Sequence, residues 1–168
     1  MNLRRQKTLF ILSLLMVGIF TFSSCKKTTT TTNSITSTTC PQDGMFKATG
    51  FSSCTVTATN MAGIYMLITI QSGSTLTSNF KQMLFTVPIP SAVGEIQLGG
   101  SSFSSWAATY GEGSTMYNTD ETNTGVFNVT SLDLTAKKMS GTFSFTGVSK
   151  PSGNLKSITN GTFTNVTW

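Results

Sequence analysis

The sequence contains no histidine. That absence excludes Ser-His and Cys-His nucleophilic machinery, and with it most zinc, copper and non-haem iron sites. Charge is also scarce: 10% of residues are Asp, Glu, Lys or Arg, against about 25% in a typical soluble domain. The acids Asp43, Glu95, Glu112, Asp120, Glu121 and Asp133 are scattered, so their spacing gives no support to a carboxylate pair for glycoside hydrolysis. Gly99-Gly100 lacks the spacing and the following lysine of a phosphate-binding loop. There is no long amphipathic helical period. The expectation is a protein that is not an enzyme and carries no metal and no cofactor.

Cysteine is rare too, at three residues, and the first of them organises the chain. Phe22-Ser23-Ser24-Cys25 has the form of a bacterial lipobox, an apolar residue and two small ones ahead of the cysteine. Before it stand a basic start, Arg4, Arg5 and Lys7, and an apolar run over 9–22. The run is short for a membrane span, which needs roughly 20 apolar residues, and the order is that of an export signal. Residues 1–24 are therefore expected to be a lipoprotein signal peptide, with cleavage before Cys25 and a lipid on its sulfur. Cys40 and Cys54 then remain as an even pair in a compartment that permits disulfides, and are expected to bridge.

Removing the signal changes the charge balance. The full chain carries 11 Lys and Arg against 6 Asp and Glu, a formal charge of +5. Without the signal and the tether lysines Lys26 and Lys27, six lysines face the six acids. A near-neutral body has no basic face for nucleic acid.

Residues 25–43 combine the lipidated cysteine with a Thr-rich stretch holding one large apolar residue, Ile35. Such a segment cannot offset its ordering entropy and is expected to be a flexible tether. Residues 44–168 suffice for one domain with a real core. They are rich in Thr, Ser, Phe, Val, Ile and Gly, and apolar and polar residues alternate, as in β-strands.

Strands are expected at 45–49, 55–59, 64–70, 82–89, 95–98, 103–110, 116–119, 125–133, 139–147 and 158–168. The strand at 64–70 is expected to be buried on both faces, with Ile64, Met66, Ile68 and Ile70 on one and Tyr65 and Leu67 on the other. The clearest alternation is Met139, Gly141, Phe143 and Phe145 inward against Ser140, Thr142, Ser144 and Thr146 outward. Asn160-Gly161 suggests a bulge. Gly141-Thr142-Phe143 and Gly161-Thr162-Phe163 suit two adjacent strands with similar packing needs. The fold is expected to be all-β, a single antiparallel β-sandwich, with a calycin-like closed β-barrel as the alternative. A sandwich would have a filled core, whereas a carrier barrel would hold an open, apolar-lined cavity.

The segments at 125–133, Ser140-Gly-Thr-Phe-Ser-Phe145 and Thr159-Asn-Gly-Thr-Phe163 resemble the ending of a family of small Bacteroidota lipoproteins of unknown function. The resemblance implies an all-β domain anchored in the cell envelope and implies no activity. Lys26 stands where inner-membrane retention is associated with aspartate, which points to the outer membrane; periplasmic and surface faces stay open.

Trp106, Tyr110 and Tyr117 are candidates for an aromatic ligand platform, although Trp106-Ala108-Tyr110 alternates as core residues do. The polar loop at 118–124 has oxygen ligands for calcium but no calcium motif, and Asp133 suits a turn. The function expected is non-catalytic, binding or structural. The membrane is reached through the lipid, and a glycan, an apolar ligand or an envelope protein is a possible partner. A carrier of a small apolar ligand and a carbohydrate-binding module are the alternatives.

Overall fold

The computed structural model describes residues 33–36, 45–73, 80–100 and 106–168. The expected signal peptide, Cys25, Cys40 and the tether residues other than 33–36 lie outside the described residues. Twelve strands follow in order: β1 (Asn33–Thr36), β2 (Phe46–Ala48), β3 (Phe51–Ser53), β4 (Thr55–Met61), β5 (Tyr65–Ser72), β6 (Lys81–Pro88), β7 (Gly94–Leu98), β8 (Ala107–Glu112), β9 (Thr115–Asn118), β10 (Gly125–Asp133), β11 (Lys138–Val148) and β12 (Leu155–Thr167). No helix occurs among the described residues.

The all-β, antiparallel expectation holds. All twelve strands join one sheet, which is nearly closed and barrel-like. β4, β5, β6, β8 and β9 follow one another as antiparallel neighbours. β12 pairs with β2, and β2 with β3. β3 and β4 are separated by Cys54 alone, so a single extended segment supplies the edge strand on one side of the sheet and the strand next to the edge on the other. Ser53 makes the switch possible. Its hydroxyl donates to the Gln71 carbonyl on β5 and accepts the Thr55 N–H at 3.0 Å, so the ladder is satisfied where the backbone changes partner.

The wall between β8 and β11 is forked. β11 pairs with β12 along one edge and with β10 along the other. Beyond Gly125, where β10 starts, that second edge meets β9 through Val148 and Asn118. Lower down the wall is β10 and β7, and a Leu98–Trp106 bridge ties β7 to the start of β8. β1 pairs with β4 in register Asn33↔Ala58 to Thr36↔Thr55. Four residues of the expected tether therefore add a strand.

The interior is filled by phenyl rings. Phe85 lies 5.0 Å from Phe143, 5.2 Å from Phe127, 5.9 Å from Phe145 and 6.1 Å from Phe46, centroid to centroid. Phe127 stacks on Phe163 at 4.4 Å. Met66, Ile68, Ile70, Met83 and Val87 complete the packing from β5 and β6, all wholly buried. Inward residues of β11 alternate as expected, from Met139 to Phe145.

β5 departs from the expectation. Ile64 sits in the turn before it and is 70% exposed. Tyr65, Leu67 and Thr69 are half-buried, so only one face of β5 is core. Alternation in a strand whose outer face carries Tyr and Leu looks like double burial, but nothing packs over that outer face fully. The segment expected at 103–110 forms instead as Ala107–Glu112, with 101–105 outside the described residues.

β12 bulges twice against β11. Phe145↔Ile158 steps to Phe143↔Gly161, and Gly141↔Phe163 steps to Met139↔Val166. Each step inserts one extra β12 residue, and Asn160 and Asn165 take the left-handed conformation there, at φ 54° and 52°. Asparagine tolerates that region better than most residues. Asn160-Gly161 was the bulge expected; the second, at Thr164-Asn165, has no glycine to mark it.

Candidate functional site

Pleating sends alternate side chains of β10, β11 and β12 outward. Cross-strand register then places Glu95, Asn128, Thr142, Thr162 and Lys47 in one transverse row over β7, β10, β11, β12 and β2. Neighbouring strands lie roughly 4.8 Å apart, so the row extends about 19 Å. The first β12 bulge adds a second polar side chain opposite Ser144: Thr159 and Asn160, adjacent in sequence, are both exposed. The second bulge repeats this with Thr164 and Asn165 opposite Ser140, whose hydroxyl accepts the Asn165 N–H at 3.0 Å.

The row from Glu95 to Thr162, with Ser144 and the first bulge, lines an open groove of about 730 Å³; Lys47 and the second bulge lie outside it. Asn128, Thr142, Ser144, Thr159, Asn160 and Thr162 supply hydroxyls and amides, Val126 and the edge of Phe143 supply apolar surface, and Glu95 supplies one carboxylate. Such a lining offers donors and acceptors to a neutral, hydroxyl-rich molecule. Among the described residues lining it, no second carboxylate stands opposite Glu95 to form an acid–base pair.

The aromatic candidates fall elsewhere. Tyr110 is 2% exposed and belongs to the core. Trp106 and Tyr117 are half-buried and pack against it. Tyr110 and Tyr117 are close, 6.3 Å between centroids, and Phe51 meets Tyr110 edge-on at 6.5 Å. Two of the three are thus brought together, but as packing beneath one barrel end.

Above them lies a polar knot with no motif in the sequence. Glu112 receives Lys156 Nζ at 2.9 Å and Lys81 Nζ at 3.3 Å, from β12 and β6 on different walls. Lys81 also donates to the Gly50 carbonyl at 3.1 Å, and Lys156 stands 5.5 Å over the Tyr110 ring. The hydrogen-bonded Lys156 ammonium, with Lys81 beside it, holds the Glu112 carboxyl below its ordinary value. Burial, joined by the adjacent Glu112 charge, pushes the Tyr110 hydroxyl up to about 12. The only available signal was Glu112 sharing the inward-facing parity of Tyr110 at the end of β8.

The loop considered for calcium is satisfied internally. Asp120 Oδ1 accepts the N–H groups of Thr122 and Asn123 at 3.0 and 2.8 Å and the Asn123 side-chain amide at 3.0 Å. These bonds, led by the Asn123 N–H, stabilise the carboxylate and hold its pKa below the ordinary value. No cluster of three metal-binding side chains occurs among the described residues. Asp133 accepts the Ala136 N–H at 2.8 Å, the turn role expected of it. Cys54 is disulfide-bonded, while Cys25 and Cys40 lie outside the described residues.

No curated protein and no solved structure matches the chain. Residues 43–167 match the family described as a domain of unknown function, DUF6252. That match spans every strand of the barrel from β2 to β12, and the chain belongs to this family.

Proposed function

We propose that this protein is a non-catalytic, lipid-anchored binding domain of the bacterial cell envelope, held at the outer membrane through Cys25 and receiving a neutral glycan in the outer groove of β10, β11 and β12. The lipobox at Phe22-Ser23-Ser24-Cys25 supports the anchor. The observation that carries the binding role is the division of labour in the barrel: phenyl rings fill its inside, while hydroxyls and amides line a groove on its outside. A carrier of an apolar ligand would need the interior for its cargo. A hydroxyl-rich chain laid across the row from Glu95 to Lys47 would meet a donor or acceptor at each strand.

Backbone amide spectra of the mature protein, recorded with cellobiose, tri-alanine and decanoate in turn, test this. Cellobiose is expected to shift the amides of residues 126–128, 142–144 and 159–162, and Thr142→Arg is expected to abolish those shifts. Shifts from decanoate at the buried amides of Phe85 and Val87 would overturn the proposal in favour of a carrier. Shifts from tri-alanine alone would keep the groove as a binding site and remove the glycan.

A further inference from the structure

Three apolar side chains stand out from the surface at one end of the barrel. Ile64 is 70% exposed in the β4–β5 turn, Val93 59% in the β6–β7 connection and Leu134 57% in the β10–β11 turn. The topology brings these connections to the same end. β5 starts beside the end of β6, at Tyr65↔Pro88, and β4 and β12 both run toward that end from the switch point. β10 reaches it at Asp133, paired with Lys138. Lys137 and Lys138 are exposed beside Leu134, and the nearby Asp133 carboxylate is held by the Ala136 N–H. Met116 and Leu155, the other large apolar side chains exposed among the described residues, lie at the opposite end.

The chain enters from the Ile64 end as well. β1 is antiparallel to β4, and its first residue, Asn33, pairs with Ala58, close to where β4 runs out at Met61. Eight peptide steps separate Asn33 from Cys25, and fully extended they span at most roughly 26–29 Å. Were the tether free as far as residue 43, any face of the barrel could meet the bilayer. Pinned at β1, the lipid holds this end nearest the membrane. Lys26 and Lys27 lie in the same short connection.

We infer that the end bearing Ile64, Val93 and Leu134 is a membrane-docking face, its aliphatic tips entering the headgroup boundary of an anionic bilayer while Lys137 and Lys138 meet lipid phosphates. Isolated apolar side chains are common on protein surfaces and carry no meaning singly; three on separate loops around the tether's point of entry, with basic residues beside them, match an interfacial surface. The inference rests on the anchor proposed above. With this end down, the groove on the barrel's side wall stays clear of the lipid.

The test uses the full mature protein, acylated in cells and reconstituted in phosphatidylethanolamine–phosphatidylglycerol vesicles. An environment-sensitive fluorophore is placed through Leu134→Cys or, at the far end, Leu155→Cys. Spin-labelled lipid carrying its nitroxide near the headgroup is expected to quench the probe at 134 at least threefold more than the probe at 155. The triple variant Ile64→Ser, Val93→Ser, Leu134→Ser is expected to float with vesicles as before while trypsin cuts at Lys137–Lys138 several-fold faster. Equal quenching at 134 and 155 in acylated protein overturns the docking face alone. A mature N-terminus without diacylglycerol mass on Cys25 overturns the anchor, and the docking face with it.

Discussion

Phe163 lies over Gly141, its cross-strand partner, and Phe143 lies over Gly161 in the reciprocal pairing. The ring of Phe163 comes within 2.6 Å of where a β-carbon on Gly141 would be, and the ring of Phe143 equally close to one on Gly161. The two Gly-Thr-Phe triplets are therefore one device: each glycine leaves room for the other strand's ring, and both rings enter the core. Thr142 and Thr162, at the centre of each triplet, pair directly and face the groove.

Gly141→Ala should be poorly tolerated for that reason. Its methyl meets the Asn128 carbonyl as well as the Phe163 ring, and strand backbone cannot swing aside as a flexible side chain can. A loss of about 1–3 kcal/mol or more is expected, the range for overpacked cores. Urea unfolding measures it. Gly153→Ala is the comparison: a positive φ with open space around it should cost less than Gly141→Ala.

Tyr110 predicts an alkaline transition. Its hydroxyl titrates near 12 in the fold against 10.0 ordinarily. A folded value raised above the unfolded one gives stability that is complete below pH 10 and is lost as pH climbs toward 12. Absorbance at 295 nm should show one of the three tyrosines ionising together with unfolding. Tyr110→Phe should remove that coupling and move the alkaline midpoint upward.

Glu112 acts at the acid end, and the sign reverses. Its folded value is depressed below 4.5, so its contribution is present above that pH and fades as pH falls through the folded value. The group is 36% exposed, so solvent screening limits the effect to under about 1 kcal/mol. Glu112→Gln should lower the urea midpoint slightly at pH 7 and leave it less dependent on pH between 5 and 3.

Peptide mapping without reductant should find Cys40 joined to Cys54. The bridge would close a loop of about 15 residues, worth roughly 3 kcal/mol in the chain-entropy description. Cys40→Ser and Cys54→Ser should each cost that much, and the double variant no more. Recovery of Cys54 bonded to any partner other than Cys40 would refute the pairing.

Cys25→Ala should move the protein from the membrane pellet to the soluble fraction and abolish diacylglycerol mass at the N-terminus. An alanine variant that pellets as before would refute the lipid anchor.

The strands of the second half were legible because their sequence carries one signal at a time. Met139 to Phe145 alternates without exception, and Asn160-Gly161 marks its own bulge. The Asn165 bulge was hidden, since Phe163-Thr-Asn-Val166 reads as plain alternation until one finds Thr164 and Asn165 both outside. Closure was equally hidden. It depends on Cys54 separating two strands with different partners, and short-range pattern holds no information about partners. The groove needed register: Glu95, Asn128, Thr142 and Thr162 are neighbours only once four strands are aligned. The knot of Lys81, Glu112 and Lys156 joins residues far apart along the chain, each unremarkable in its own segment.

The lap joint at Cys54 also governs the order in which the barrel can form. Hairpins such as β4–β5, β5–β6, β10–β11 and β11–β12 need only local loops, and loop closure of that length is fast. Sealing the wall is different, because Phe46 on β2 must find Phe163 on β12, and Thr49 must meet Thr159, 110 residues further along. A chain made amino end first therefore carries an unmated seam until β12 has been made. Up to that moment the phenyl rings of β6 and β10 have only part of their cover, so β12 decides whether the hydrophobic interior is ever shut.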